Sequence, residues 1–338
     1  MSIAQTIQDA WNRQAKWLVL LRPLSWLYGG VFAFNKQLYR LGLKKVYQAP
    51  VPVMVIGNIT VGGSGKTPLL IQLVKYLQQN EIRVGVISRG YGGQGPFPAL
   101  VGLDATPDFV GDEPCLIVQS TGVPMAVGSN RQQTIELLLE QHELDLIISD
   151  DGLQHWALAR QIEWIVLDQN RGLGNQKLLP EGYLREPISR LEIGTVIEHA
   201  TQPNSDLNMH LDVGEPYLLN PLYDQAVDFD PTQNYYAVVG IGFPQRFYNT
   251  LESMGVQQFQ CHEFADHYDY EIDDLQFEDS NPIVTTEKDA VKLLPLLKKN
   301  PLFHREIWVI PVEAVLSEQC YTLLDQQLMQ VGIVVNEV

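Results

Sequence analysis

Apolar residues recur along most of this chain in two periods. Short, nearly continuous apolar runs at Val51–Ile56, Arg83–Ser88, Leu144–Ser149, Trp164–Asp168 and Thr195–Glu198 have the length and density of strands buried on both faces. Between them, Thr67–Asn80 and Arg131–Gln141 place apolar residues at helical spacing, and Cys115–Gln119 is a further apolar segment. Strand–helix alternation of this kind builds a parallel sheet covered on both sides. Residues 201–231 are rich in Asn, Asp, Pro and Gly, lack helical period and read as a linker. A second, shorter alternation follows: strands at Tyr236–Gly240, Gln258–Glu263, Ile283–Thr285 and Ile307–Ile310, and helices at Arg246–Met254 and Lys288–Leu297.

The first 48 residues differ in kind. Ile3, Ile7, Trp11, Ala15 and Leu18 fall on one helical face, and after Arg22-Pro23 a second stripe runs through Leu27, Val31, Phe34, Leu38 and Leu41. The longest purely apolar run, Trp17–Leu21, is far shorter than a membrane span requires. Two amphipathic helices parted at Arg22-Pro23 are therefore expected, either packed into the core or lying in a membrane interface. The organisation predicted is an interfacial leader (1–48), a sheet domain (49–200), a linker (201–231) and a smaller α/β domain (232–338).

Composition narrows the picture. The chain has 338 residues, enough for two domains, and 45% hydrophobic against 19% charged residues is ordinary globular composition. Three scattered cysteines exclude a disulfide framework. The net charge of −17 argues against a nucleic-acid binder. The leader alone carries seven basic residues against one acid, a net +6, so the remaining 290 residues carry −23.

The strongest chemical signal follows the first strand. Gly57-Asn58-Ile59-Thr60-Val61-Gly62-Gly63-Ser64-Gly65-Lys66-Thr67-Pro68 runs from a strand through a glycine-rich turn into a helix, the setting of a P-loop. Thr60, Val61, Gly62, Gly63, Ser64 and Gly65 supply turn amides for phosphate oxygens. Lys66 is placed to reach the β and γ phosphates and Thr67 to hold Mg²⁺. Thr60 stands where the strict pattern has glycine, and Val61 stands where partitioning ATPases carry a lysine. Thr286-Glu287-Lys288-Asp289 has its lysine out of place for guanine recognition. The strand Leu146–Ser149 ends in Asp150-Asp151, at the sheet edge where open α/β folds bind ligands, so one of these acids is expected to complete the Mg²⁺ site. Asp112 and the Asp266-His267 pair are candidates for accepting a hydroxyl proton.

Taken in order, the P-loop, Ser88-Arg89-Gly90-Tyr91-Gly92, Gly111-Asp112-Glu113-Pro114, Asp150-Asp151-Gly152-Leu153-Gln154-His155 and Leu179-Pro180-Glu181-Gly182-Tyr183-Leu184-Arg185-Glu186-Pro187 resemble the tetraacyldisaccharide 4′-kinase family. Gly240-Ile241-Gly242-Phe243-Pro244, Asp266-His267 and the stretch Thr285–Lys292 extend the resemblance over essentially the whole chain. It implies a P-loop NTPase-like parallel-sheet domain, a smaller α/β domain and an N-terminal amphipathic, membrane-associating leader. It further implies transfer of phosphate from ATP, with Mg²⁺, to the 4′-hydroxyl of a tetraacylated disaccharide 1-phosphate lipid, giving lipid IVA. The place of work would be an anionic membrane surface, the cytoplasmic face of the bacterial inner membrane. By position, Asp112 would be the base assisted by His267 and Asp266, while Tyr91, Arg131, Gln154, Arg185 and Glu186 would line the substrate site. Glu181, Tyr183 and Tyr268 depart from the family pattern and bear on fine acyl-chain or head-group preference. The competing reading is a membrane-recruited P-loop ATPase acting as a nucleotide switch.

Overall fold

The computed structural model describes residues 6–7, 10–11, 13–219 and 228–335. In chain order the strands run β1 (Val53–Gly57), β2 (Val84–Ser88), β3 (Ala99–Leu100), β4 (Met125–Val127), β5 (Leu146–Asp150), β6 (Ile162–Asp168), β7 (Thr195–His199) and β8 (Asn208–Val213). They continue as β9 (Tyr217–Leu218), β10 (Asn234–Val239), β11 (Gln258–Glu263), β12 (Ile283–Thr286), β13 (Ile307–Ile310) and β14 (Val312–Leu316).

The larger sheet has the order β14-β8-β7-β6-β1-β5-β2-β4-β3. Its inner strands, β8 to β4, are all parallel, and β14 and β3 close its edges antiparallel. Strand β1 lies at the centre and is buried along its whole length. Its side chains alternate between two cores. Met54 and Ile56 meet Leu69, Leu70, Leu73, Val74 and Leu77 of the helix Lys66–Gln79, while Val53 and Val55 meet Ile135 and Leu138 of the helix Arg131–Gln141. Because Ile56 pairs with Asp150, the P-loop and the paired acids leave the sheet side by side.

The smaller sheet has the order β11-β10-β12-β13-β9, parallel except for β9. Its composition departs from the sequence boundaries at both ends. The segment predicted as linker carries β8 and β9, one in each sheet. The chain then returns after Pro311: β14 pairs with β8, and Leu324 and Leu328 of the helix Glu318–Gln330 join the core of the larger sheet. Gly214 N–H donates to Pro311 O at 3.0 Å where the two crossings run together. These strands are short or half-polar and offer little apolar run, so the sequence pattern does not reveal them. The apolar segment around Cys115 is part of a helix, Asp112–Thr121.

The leader also differs from expectation. A 3-10 helix, Lys16–Leu21, passes straight into an α-helix, Arg22–Arg40, so Arg22-Pro23 is not a break. Pro23 sits in the first turn, where its missing N–H would have no intrahelical partner anyway. Of the first stripe, Ile3 lies outside the described residues.

Candidate active site

The P-loop is braced before any ligand arrives. The buried Asn58 side chain donates to Thr60 Oγ1 at 3.2 Å and to Ser64 Oγ at 3.1 Å, drawing the turn around itself. Outside, Val61 N–H donates to Tyr183 O at 2.9 Å, His199 Nδ1 lies 2.9 Å from Ser64 O, and Arg171 donates to Val61 O. Gly65 (φ 92°) caps the helix that begins at Lys66, so Lys66 and Thr67 stand in its first turn with unpaired amides around them.

The two acids after β5 have been driven apart in character. Asp151 is held on its charged side, down to about 2: burial opposes ionisation, but Lys66 Nζ at 3.6 Å and Arg185 Nη1 at 2.8 Å outweigh it. Asp150 is buried and pushed up to about 7 by burial and then by the charges of Glu113 and Asp151. Ser88 Oγ donates to its Oδ2 at 3.2 Å, while Oδ1 is buried with no hydrogen-bond partner. An orphaned carboxylate oxygen within reach of the Lys66 charge, where the P-loop and β5 leave the sheet side by side, fits a divalent cation that takes one or two carboxylates and completes its shell with phosphate and water. Among the described residues there is no cluster of three or more His, Cys, Asp and Glu side chains forming a protein-only metal cage.

Where the smaller unit meets the helix Asp112–Thr121 lies a second cluster. His267 Nδ1 is 2.9 Å from both oxygens of Asp112, joining the smaller unit to the start of the helix Asp112–Thr121. Asp112 is 3% exposed and His267 24%, so the imidazole is the accessible end of the pair. Burial disfavours charge on both, yet the contact wins: His267 is raised and Asp112 lowered from their ordinary values. His267 Nε2 looks toward Asp266 Oδ2 at 3.8 Å, and the exposed ring of Tyr91 meets the imidazole edge-on with centroids 5.0 Å apart.

Gly111 makes this closeness possible, and Gly242 lies where the two units meet. A Cβ on Gly111 (φ 97°) would stand 2.4 Å from Tyr91 O. A Cβ on Gly242 would lie 3.3 Å from Asp266 Oδ2 and 3.7 Å from Gly63 N, which puts the acid cluster and the P-loop on either side of one narrow seam. Arg246 of the smaller unit pairs with Asp168 at the end of β6 along the same seam.

The expected substrate residues divide. Tyr91, Gln154 and Arg185 reach the site: Arg185 Nη1 also donates to Gln154 Oε1 at 3.2 Å, and Gln154 Nε2 donates to Asn58 O at 3.1 Å. Arg131 and Glu186 are buried instead. Arg131 donates to Gly128 O at 2.7 Å and lies 3.4 Å from Asp150 O, holding the end of β5. Glu186 accepts from Gln154 at 2.9 Å and pairs with Arg190, fixing Gln154 from behind. Motif position in a sequence does not distinguish a lining residue from the one that supports it. Lys288 and Glu113, which their motifs alone do not mark as site residues, sit 3.2 Å apart within the acid cluster.

A P-loop on a parallel sheet, with a buried acid beside it and a carboxylate–imidazole pair across the seam, defines a nucleotide-dependent phosphotransferase. Residues 17–329 match the family described as Tetraacyldisaccharide-1-P 4′-kinase, and the chain belongs to that family. It is 48% identical to the tetraacyldisaccharide 4′-kinase of Psychrobacter cryohalolentis and 42% identical to that of Pseudomonas fluorescens (strain Pf0-1), over 98% of each chain in both cases. Its fold superposes on the crystal structure of LpxK from Aquifex aeolicus, described as an "apo" form in complex with ATP. The TM-score is 0.74 at 27% identity, covering 93% of this chain and 99% of that one.

Proposed function

We propose that this kinase transfers the γ-phosphoryl group of ATP to the 4′-hydroxyl of a tetraacylated disaccharide 1-phosphate lipid, working from an anionic membrane surface on the cytoplasmic side. The observation that carries the reading is the Asp112–His267 pair facing the P-loop across the Gly242 seam. The hydroxyl oxygen bonds to the γ-phosphorus, the bond from that phosphorus to ADP breaks, and the hydroxyl proton passes to the pair. Lys66 leaves Asp151 for the transferring phosphate, and Asp151 remains paired with Arg185. Thr67 and Asp150 are the residues that would hold Mg²⁺, whose charge, when bound, offsets that of the phosphate oxygens.

The membrane part of the reading rests on the leader. One face of the helix Arg22–Arg40 is fastened to the body. Arg22 pairs with Glu181, Ser25 Oγ accepts from Glu181 N–H at 2.8 Å, and Tyr28 donates to Arg185 O at 2.9 Å. Phe32 and Lys36 then pack on Trp156. The opposite face presents Leu24, Leu27, Val31 and Phe34 to the outside, with Trp26 and, from the preceding 3-10 helix, Leu20 beside them. Lys16–Arg40 is long and apolar enough to cross a membrane, but a helix fastened along one side lies in the interface instead. The fastening runs to Arg185, a residue of the site itself, so a lipid head group held in the interface would meet the cleft directly. Incubation with Mg·ATP and the acylated disaccharide 1-phosphate tests the reading: a 4′-phosphorylated lipid supports it, and ATP turnover with the lipid unchanged favours a nucleotide switch.

A further inference from the structure

Lys288 reaches out of the helix Glu287–Lys299 toward three carboxylates. Its Nζ lies 3.1 Å from Asp266 Oδ1, 3.2 Å from Glu113 Oε1 and 3.8 Å from Asp112 Oδ2. Asp112 and Glu113 open a helix of the P-loop unit, and Asp266 belongs to the smaller unit, so one ammonium spans the seam. Its neighbours in the motif are all committed elsewhere. Thr286 Oγ1 caps the helix by accepting from Asp289 N–H at 3.2 Å, and Glu287 accepts from Val312 N–H at 3.1 Å. Asp289 is buried, accepting from Gly240 N–H at 3.1 Å and Tyr270 OH at 3.0 Å and pairing with Lys292 at 2.8 Å. Within the motif, Lys288 is the member that faces the reacting side.

We propose that Lys288 is a positioning residue for phosphoryl transfer: its ammonium ties the two walls of the seam together and sets the Asp112–His267 pair in register. The proposal rests on the reading that this pair accepts the hydroxyl proton. Three carboxylates in a partly buried seam repel one another and drift apart unless a cation sits among them. The groups that surround Asp112 come from both sides: His267, Lys288 and Lys292 from the smaller unit, and from its own helix Cys115 and Glu113, whose N–H donates to Asp112 Oδ1 at 3.0 Å, with Asp266 beyond His267. Burial works against the Asp112 charge, and His267 and then Lys288 overcome it. Lys288 also keeps its proton firmly, since Glu113, Asp112 and Asp266 more than offset its burial. Without it, Asp112 binds its proton more tightly, and the acid limb of the rate profile moves to higher pH.

The test is steady-state kinetics of the full-length enzyme on the acylated disaccharide 1-phosphate in mixed micelles, with thermal unfolding measured alongside. Lys288→Met is expected to lower kcat by about 10- to 100-fold, leave KM for ATP within about twofold, and shift the acid limb upward. Lys288→Arg keeps the charge and is expected to recover most of the rate. Glu113→Gln removes one of the charges that Lys288 balances and is expected to shift the acid limb the opposite way, which keeps the test open if Lys288→Met does not fold. An unmoved acid limb in the folded variants, or Lys288→Arg no better than Lys288→Met, overturns the proposal. Failure of the wild-type enzyme to phosphorylate the lipid overturns instead the reading beneath it.

Discussion

At the scale of single residues, the site works by giving neighbouring groups opposite environments. Asp150 and Asp151 are adjacent in sequence, yet one is buried with an orphaned oxygen and the other is neutralised by two cations. Sequence alone identified both as acids at a strand end and could not part them, because the difference comes from Lys66, Arg185 and Ser88 arriving from other elements. The Asp112–His267 contact spans 155 positions and was legible only through resemblance. Two consequences follow for mutants. On the role proposed for Lys66 at the transferring phosphate, Lys66→Ala is expected to cost roughly 10²–10⁴ in kcat. Asp112→Asn is expected to cost a similar factor, roughly 10²–10⁴, with ATP affinity by calorimetry near wild type; full turnover across the pH range would remove Asp112 from the proton path. On the proposed shared role of the pair, His267→Ala combined with Asp112→Asn should lose less than the product of the single losses. Strictly multiplicative kinetics would assign the two residues independent roles. The contact also links pH to stability. The raised His267 contributes while it stays protonated, and loses that contribution as pH rises through its folded value. The lowered Asp112 contributes while ionised, and loses it as pH falls.

At the scale of elements, the strand–turn–helix of the P-loop was fully readable, since the apolar strand, the glycine turn and the helical period all fall within one short stretch. What escaped reading is what tertiary pairing decides. β8, β9 and β14 are short or half-polar and gain their identity from partners far away in sequence. The apolar Cys115–Gln119 is too short to reveal its period, and its helix begins at Asp112 because Gly111 turns the chain there with φ 97°. That turn carries a prediction. Gly111→Ala forces a side chain against Tyr91 O in a conformation few residues adopt, and should cost roughly 1–3 kcal/mol of stability. It should also lower kcat by displacing Asp112. A melting curve and turnover both matching wild type would show that the turn has slack the geometry denies it.

At the scale of the whole molecule, the two α/β units and the basic leader were evident from pattern and charge, but not the return of the chain's end to the first sheet. Nor could periodicity decide whether the leader's apolar stripe faces inward or outward, because either gives the same spacing. The structure turns Leu20, Leu27 and Phe34 outward on a helix fastened beside Arg185. Each such side chain adds up to about 1.5–3 kcal/mol on full burial, against about 1 kcal/mol per basic residue near an anionic surface. Exchange of Leu20, Leu27 and Phe34 for glutamate should therefore release the protein from anionic vesicles in a flotation assay, while high salt leaves the wild type bound. Unchanged flotation of the triple variant would move the membrane contact elsewhere. In the proposed reaction the P-loop and the Asp112–His267 pair form one phosphotransfer site for a lipid held at that surface. Its most direct test is the stoichiometry of ADP formed to 4′-phosphorylated lipid, measured with Mg·ATP and the acylated disaccharide 1-phosphate in vesicles. One phosphorylated lipid is expected for each ADP, with both falling together in Asp112→Asn; ADP released with no phosphate on the lipid would rule out the proposed transfer.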